Sequence, residues 1–259
     1  MPNYTIINQT HFLSSMTKKL ETKPSFIRQA KDKLIFQLSP YFYPQYNYSR
    51  KINRFLKAQK RPLTIIDAGC GWGETSANFA KIPLANVYGY ELDADCIERA
   101  KQNFRHIDNL SFEVKDIHQI LPTPYPFDVF CMVCVMTVIT NQDQLLQQIH
   151  HAMPPDAWLI VVNPNPDTKD YKVFQSLDND STNKFEIRPQ DYETYFGQRG
   201  FELIKIEATG YVRRAGRAEE RFLKIALPFY LHAQDFIYKR LGLGKPICHI
   251  GYFKKKQTQ

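Results

Sequence analysis

Three glycines on alternate positions, directly after a short apolar run and an aspartate, constrain this chain more than any other stretch: residues 63–73 read LTIIDAGCGWG. Ile65 and Ile66 predict a buried strand that Asp67 closes. Gly69, Gly71 and Gly73 let the backbone turn sharply and approach a ligand with no Cβ in the way. The turn hands over to a helix at residues 74–81, whose free amides line a crevice at the strand's carboxyl end. A second strand, residues 85–92, ends in Glu91. An acid at that tip, roughly 20 residues past the glycines, is placed to accept both hydroxyls of a ribose. A nucleoside-bearing cofactor is the expected ligand.

The rest of the chain alternates the same two kinds of element. Asp93 or Asp95 caps a helix carrying Ile97, Ala100 and Phe104 at helical spacing. A third strand covers residues 110–114, and the run 127–135 is almost wholly apolar, as a central parallel strand covered on both faces must be. A helix at 142–153 and a strand at 158–162 follow. Pro189 starts a further helix that Gly200 ends, and strands are predicted at 201–209 and 247–253. Alternating strands and helices imply a mostly parallel sheet with right-handed crossovers.

With these residues in view, the chain from about residue 62 to residue 253 resembles the class I S-adenosylmethionine-dependent methyltransferases. Asp67-Ala-Gly69-Cys70-Gly71-Trp-Gly73 matches their first motif, DxGxGxG, which differs from the GxGxxG of nicotinamide enzymes. The resemblance implies an α/β, Rossmann-like, seven-stranded sheet with helices on both faces and its last two strands antiparallel. Glu91, with Leu92 beside it, matches their ribose acid, and Asp116-Ile117 their adenine-contacting pair. At the end of the fourth strand the methionine end of the cofactor would meet backbone groups of Gly69, Gly71 and Met132, with Cys70 and Val133 beside them. Asp67 would hold the glycine loop by bonding its amides. The implied activity is methyl transfer from S-adenosylmethionine, leaving S-adenosylhomocysteine, to O, N or C of a small-molecule acceptor. RNA methylation is the alternative, and a cofactor-binding protein without methyl transfer is a third reading.

A general base does not stand out. Where many small-molecule relatives carry a histidine or glutamate, this chain has Thr137 and Val138. His150 and His151 fall on a helix expected behind the sheet, which leaves His11 and His232 as candidates. The Asn-Pro-Pro-Tyr type sequence of base-methylating branches is replaced after the fourth strand by residues 132–136, MVCVM. Asn163-Pro164 follows the fifth strand instead, where Asn163 is a candidate for substrate binding.

Residues 1–60 are expected to form a helical cap, followed by the cofactor domain at 61–259, with 213–245 as a helical insert covering the site. Five aromatics in residues 41–48, interrupted by Pro44, predict an irregular loop whose rings must be buried. Tyr43 and Tyr46 are candidates to line a substrate pocket; a packed linker is the other reading. A basic helix at 49–59 turns Ile52, Phe55 and Leu56 inward. Pro228 is expected to break the helical pattern of the insert.

The net charge of +8 conceals a sharper division. Residues 1–61 carry twelve Lys and Arg against two acids, 62–210 eleven against twenty-one, and 211–259 eleven against three. Basic flanks therefore bracket an acidic core and would draw an anionic acceptor, unless their lysines only solvate outer helix faces; the tyrosines suit an aromatic acceptor, and nucleic acid is the less favoured partner. Five cysteines, an odd number, read as buried thiols in a reducing, cytoplasmic setting. Cys131 and Cys134 form CxxC, but no further ligands stand near in sequence, so no metal is expected. No apolar stretch approaches the roughly 18 residues of a spanning helix, and the polar start does not read as a signal peptide. The sequence leaves the oligomeric state open.

Overall fold

The computed structural model describes residues 43–123, 126–168, 185–210 and 227–256. In chain order the elements are α1 (Tyr43–Lys57), β1 (Leu63–Ala68), α2 (Glu74–Phe79), β2 (Ala85–Glu91), α3 (Ala94–Phe104) and β3 (Leu110–Val114). They continue with β4 (Val129–Val133), α4 (Gln142–Ala152), β5 (Trp158–Pro164), α5 (Tyr192–Gly197), β6 (Phe201–Thr209), α6 (Leu227–Leu241) and β7 (Cys248–Lys255). Single 3-10 turns at Ile117–Gln119 and Pro189–Asp191 lead out of β3 and into α5.

The strands form one seven-stranded sheet in the order β3-β2-β1-β4-β5-β7-β6. The first five run parallel, whereas β7 is antiparallel to both β5 and β6. The order reverses beside β1, so the carboxyl ends of β1, β2 and β4 diverge there and open a crevice. Every residue of β5 is buried and four of five in β4, which fits strands covered on both faces.

Alternate side chains of each strand feed two cores. On one face Ile65, Val129, Ile160 and Ile250 pack with Phe79 of α2 and with Tyr48, Ile52 and Leu56 of α1. On the other, Ile66, Phe130, Leu159 and Phe253 pack with Leu145 and Ile149 of α4 and Tyr192 and Phe196 of α5. α3 is capped by Asp93, whose carboxylate accepts from the amides of Asp95 and Cys96 at 2.8 and 3.3 Å.

The aromatic stretch departs from expectation. It is not an irregular loop: α1 starts at Tyr43 and runs unbroken to Lys57, absorbing the helix predicted at 49–59. Pro44 falls in the first turn, where an amide has no intrahelical acceptor to lose. Pro228 is the second residue of α6 as described (Leu227–Leu241), and the part of the insert before it lies outside the described residues. α1 and α6 touch where Asn47 Nδ2 donates to Asp235 Oδ2 at 3.2 Å. Residues 1–42 and 213–226 of the expected cap and insert lie outside the described residues.

Candidate active site

The loop between β1 and α2 is fixed from behind. The amides of Gly69 and Cys70 both donate to the Tyr90 carbonyl, at 2.8 and 2.9 Å, which clamps the loop onto β2. Gly69 has φ 76° and packs so closely that a Cβ there would lie 2.4 Å from Val135 Cγ2. Gly71 has φ 53°, and a Cβ there would meet nothing within 4 Å. One glycine is thus required by the protein's own packing, while the other faces open space at the crevice.

Glu91 stands across that opening. Its Oε2 accepts from the Gly71 amide at 3.1 Å, and its Oε1 from the amides of Leu92 and Asp93 at 2.8 and 3.3 Å. Three amides hold the carboxylate at the tip of β2 with its outer lone pairs toward the crevice. Beside it Leu92 is 53% exposed, a large apolar side chain with little of the protein covering it. Asp116 accepts from the His118 amide at 2.8 Å and caps the 3-10 turn, and Ile117 is half-buried next to it. The Cys70 thiol is buried, and burial pushes its pKa up, so it stays protonated and unreactive.

Asp67 does not bond the loop amides as expected, because Tyr90 has taken the two nearest. Its Oδ2 accepts from the Ser76 hydroxyl at 2.5 Å, and its Oδ1 is buried with no partner. Burial pushes its pKa up to about 7; the Ser76 bond opposes the shift and the nearby Glu91 adds to it. Met132 is the last residue but one of β4. It is fully buried within the ladder, paired with Ala68 and Val161, so the tip of β4 is Val133 followed by Cys134. Cys134 has φ 57°, and its amide donates to the Val162 carbonyl at 2.8 Å.

A second polar group of residues lies at the end of β5. Asn163 is 1% exposed, and neither its amide nitrogen nor its oxygen has a hydrogen-bond partner. The Tyr192 hydroxyl, equally buried and unpartnered, lies near that amide; burial raises its pKa and the Asn163 contact opposes the rise. Across the strand pair Asn163 faces His249, which burial holds at a pKa of about 4 against the pull of Asp167, so it is neutral at pH 7. Asp167 in turn pairs with Arg188 and Lys245 and anchors the turn beyond β5.

His249 and Tyr192 were missed by sequence reasoning. The available signal was a histidine inside the apolar run 247–253, ICHIGYF, where imidazole is out of place unless it is used or well packed. Tyr43 and Tyr46 fall in the first turn of α1 and His232 in α6, but their side chains, like all of His11, lie outside the described residues. His150 packs edge-on against Phe201, with ring centroids 5.5 Å apart, on the back of the sheet. Among the described residues no group of three or more His, Cys, Asp or Glu is placed to hold a metal ion. All five cysteines are free thiols, and no described helix is long and apolar enough to cross a membrane.

Comparison with known proteins follows this geometry. The family model described as a methyltransferase domain matches residues 42–206, well over half of the chain. Malonyl-[acyl-carrier protein] O-methyltransferase of Acinetobacter baylyi is 26% identical over 144 residues, covering 55% of this chain and 53% of its own. Trans-aconitate 2-methyltransferase of Deinococcus radiodurans is 27% identical over 124 residues, covering 47% and 46%. The chain thus matches about half the length of these relatives. Among solved structures, a SAM-dependent methyltransferase from Archaeoglobus fulgidus superposes with a TM-score of 0.57 at 16% identity, covering 89% of this chain and all of that one. Magnesium protoporphyrin IX methyltransferase from Synechocystis, solved with bound SAH, gives 0.56 at 17% identity over 96% of both. At such identities the superpositions speak for the fold and the family model for the lineage: the chain belongs to the methyltransferase-domain family and has the fold of its class I, S-adenosylmethionine-dependent members.

Proposed function

We propose that the protein transfers the methyl group of S-adenosylmethionine to a small-molecule acceptor. The observation that carries this reading is the pairing of Glu91 with the open face of Gly71 at the switch point of the sheet. The residues present fit the cofactor: a glycine face that only a Cβ would fill, a carboxylate fixed by three amides, and an exposed Leu92 beside it. The bound cofactor supplies an activated sulfonium methyl, so the protein's own task is alignment and exclusion of water.

In this reading Glu91 accepts the two ribose hydroxyls, and Leu92 and Ile117 cover the adenine while Asp116 accepts from its amino group. Gly69, Cys70 and Gly71 supply backbone to the methionine end, together with the backbone of Met132 and Val133 at the end of β4. Asp67, half-protonated near neutral pH, braces the loop through Ser76. Asn163 and Tyr192 offer a polar group of the acceptor two unspent hydrogen-bonding side chains, which favours an acceptor with a carboxylate, carbonyl or hydroxyl beside the methylated atom. His249, neutral above pH about 4, can accept a proton-bearing hydrogen bond there but is too weak a base to keep the proton. In this reading α1, packed into the core, and α6 are the described parts of the cap at 1–60 and the insert at 213–245. Five free thiols suit a reducing, cytoplasmic setting.

Calorimetric titration with S-adenosylmethionine, followed by detection of S-adenosylhomocysteine during an acceptor screen, tests the proposal. Binding with acceptor-dependent product is expected. Binding of neither S-adenosylmethionine nor its product by folded protein refutes it.

A further inference from the structure

A groove of about 380 Å³ runs between α1 and α2, lined by Ser49, Arg50, Asn53, Arg54, Lys57 and Asn78. None of the crevice residues Gly71, Glu91 or Asn163 lines it. Arg50, Arg54 and Lys57 are exposed and recur at spacings of four and three, so they stand in a row on one face of α1. Like charges at that spacing destabilise a helix, and among the described residues no carboxylate pairs with any of the three.

The floor of the groove is equally unspent. Ser49 is 2% exposed and its hydroxyl has no hydrogen-bond partner. Asn53 donates through Nδ2 to the Asn78 carbonyl at 2.8 Å, which leaves its buried Oδ1 without a donor. Buried polar atoms are normally satisfied, so two on residues that line one cationic groove point to a ligand that satisfies them.

We infer that this groove binds a diphosphate group. Guanidinium forks match phosphoryl oxygens two at a time, and the Ser49 hydroxyl supplies a further donor. A monoprotonated phosphoryl oxygen gives Asn53 Oδ1 the hydrogen it lacks. Residues 50 to 57 span about 10 Å of helix, more than one phosphate can serve, whereas two linked phosphoryl groups present oxygens to all three cations.

The test is calorimetric titration of the full chain with sodium diphosphate at low ionic strength, with sodium phosphate in parallel. Saturable diphosphate binding is expected, tighter than phosphate and weakening as salt is added. Arg50→Gln/Arg54→Gln should weaken it by about tenfold or more, as the loss of charge-assisted hydrogen bonds requires. That variant should melt no lower than the wild type, because a like-charge pair has been removed. Absence of binding at millimolar diphosphate, or unchanged affinity in the double variant, overturns the inference. Tighter binding of a ten-nucleotide RNA through the same two arginines also overturns it, assigning the row to a nucleic-acid backbone.

Discussion

Gly69 and Gly71 lie two residues apart in one loop, both with positive φ, yet adding a methyl group to each should do opposite things. Gly71→Ala forces alanine to φ 53°, in the left-handed region, but its Cβ meets nothing within 4 Å. The cost is the backbone preference alone, roughly 1–2 kcal/mol. Gly69→Ala adds the same backbone cost at φ 76° and drives a methyl group to 2.4 Å from Val135 Cγ2, in a side chain that is 8% exposed and has little room to move. Overpacking of that kind costs roughly 1–3 kcal/mol more, for about 2–5 kcal/mol in all. For a chain of 259 residues each kcal/mol lowers the melting temperature by about 2–4 °C. Thermal denaturation should therefore fall by roughly 2–8 °C for Gly71→Ala and roughly 4–20 °C for Gly69→Ala. Ligand binding should rank them the other way. The open face that makes Gly71→Ala tolerable to the fold is the face proposed to receive the cofactor, so its affinity for S-adenosylmethionine should drop tenfold or more, about 1.4 kcal/mol. Melting curves and calorimetry on the two variants read both quantities. If folded Gly71→Ala binds S-adenosylmethionine like the wild type, the open face does not receive the ligand and the reasoning fails.

Other variants separate the remaining roles. Glu91→Ala should weaken S-adenosylmethionine binding by about 1.5–3 kcal/mol, the range for hydrogen bonds to a charged group, with calorimetry as the measure; an unchanged dissociation constant in folded protein contradicts the ribose assignment. Burial raises the folded pKa of Asp67 to about 7, above its ordinary value of 3.8, so the folded state holds more protons in between and its stability falls as pH rises through that window. Urea unfolding of Asp67→Asn at pH 4.5 and pH 7.5 should show a smaller loss with rising pH than the wild type, and an equal loss removes Asp67 from the account. Ile52→Ala, at a position with no exposure, should cost about 2–5 kcal/mol in urea unfolding if α1 belongs to the core. Ile204→Ala, at a side chain 48% exposed, should stay within about 0.5 kcal/mol.

What could be read from the sequence, and what could not, divides along a physical line. β3 and β6 coincide with the stretches predicted at 110–114 and 201–209, and β1, β2, β4 and β5 lie within a residue or two of theirs, because apolar runs and turn residues act locally. The glycine loop and Glu91 were legible for the same reason: one short segment and the next strand tip contain the whole motif. The failures came where a local rule depends on position within an element. Proline disrupts the interior of a helix but not its first turn, and nothing in residues 41–48 announces which applies until Tyr48, Ile52 and Leu56 are seen to share one core face. Asp67 was given the amides of its own loop, but a strand apart in sequence Tyr90 offers those amides a carbonyl, and the aspartate is left to Ser76. The pairing of Asn163 with His249 spans 86 positions and exists only because β7 enters the sheet antiparallel between β5 and β6. The same holds for the groove of Ser49, Asn53 and Asn78, which needs two helices side by side. The residues proposed to hold the cofactor are mostly neighbours in sequence, whereas those proposed to meet the acceptor are strand tips and helices brought together from distant parts of the chain. The proposed cofactor residues were therefore legible in one stretch of sequence, whereas the proposed acceptor residues Asn163 and Tyr192 meet only in the folded chain.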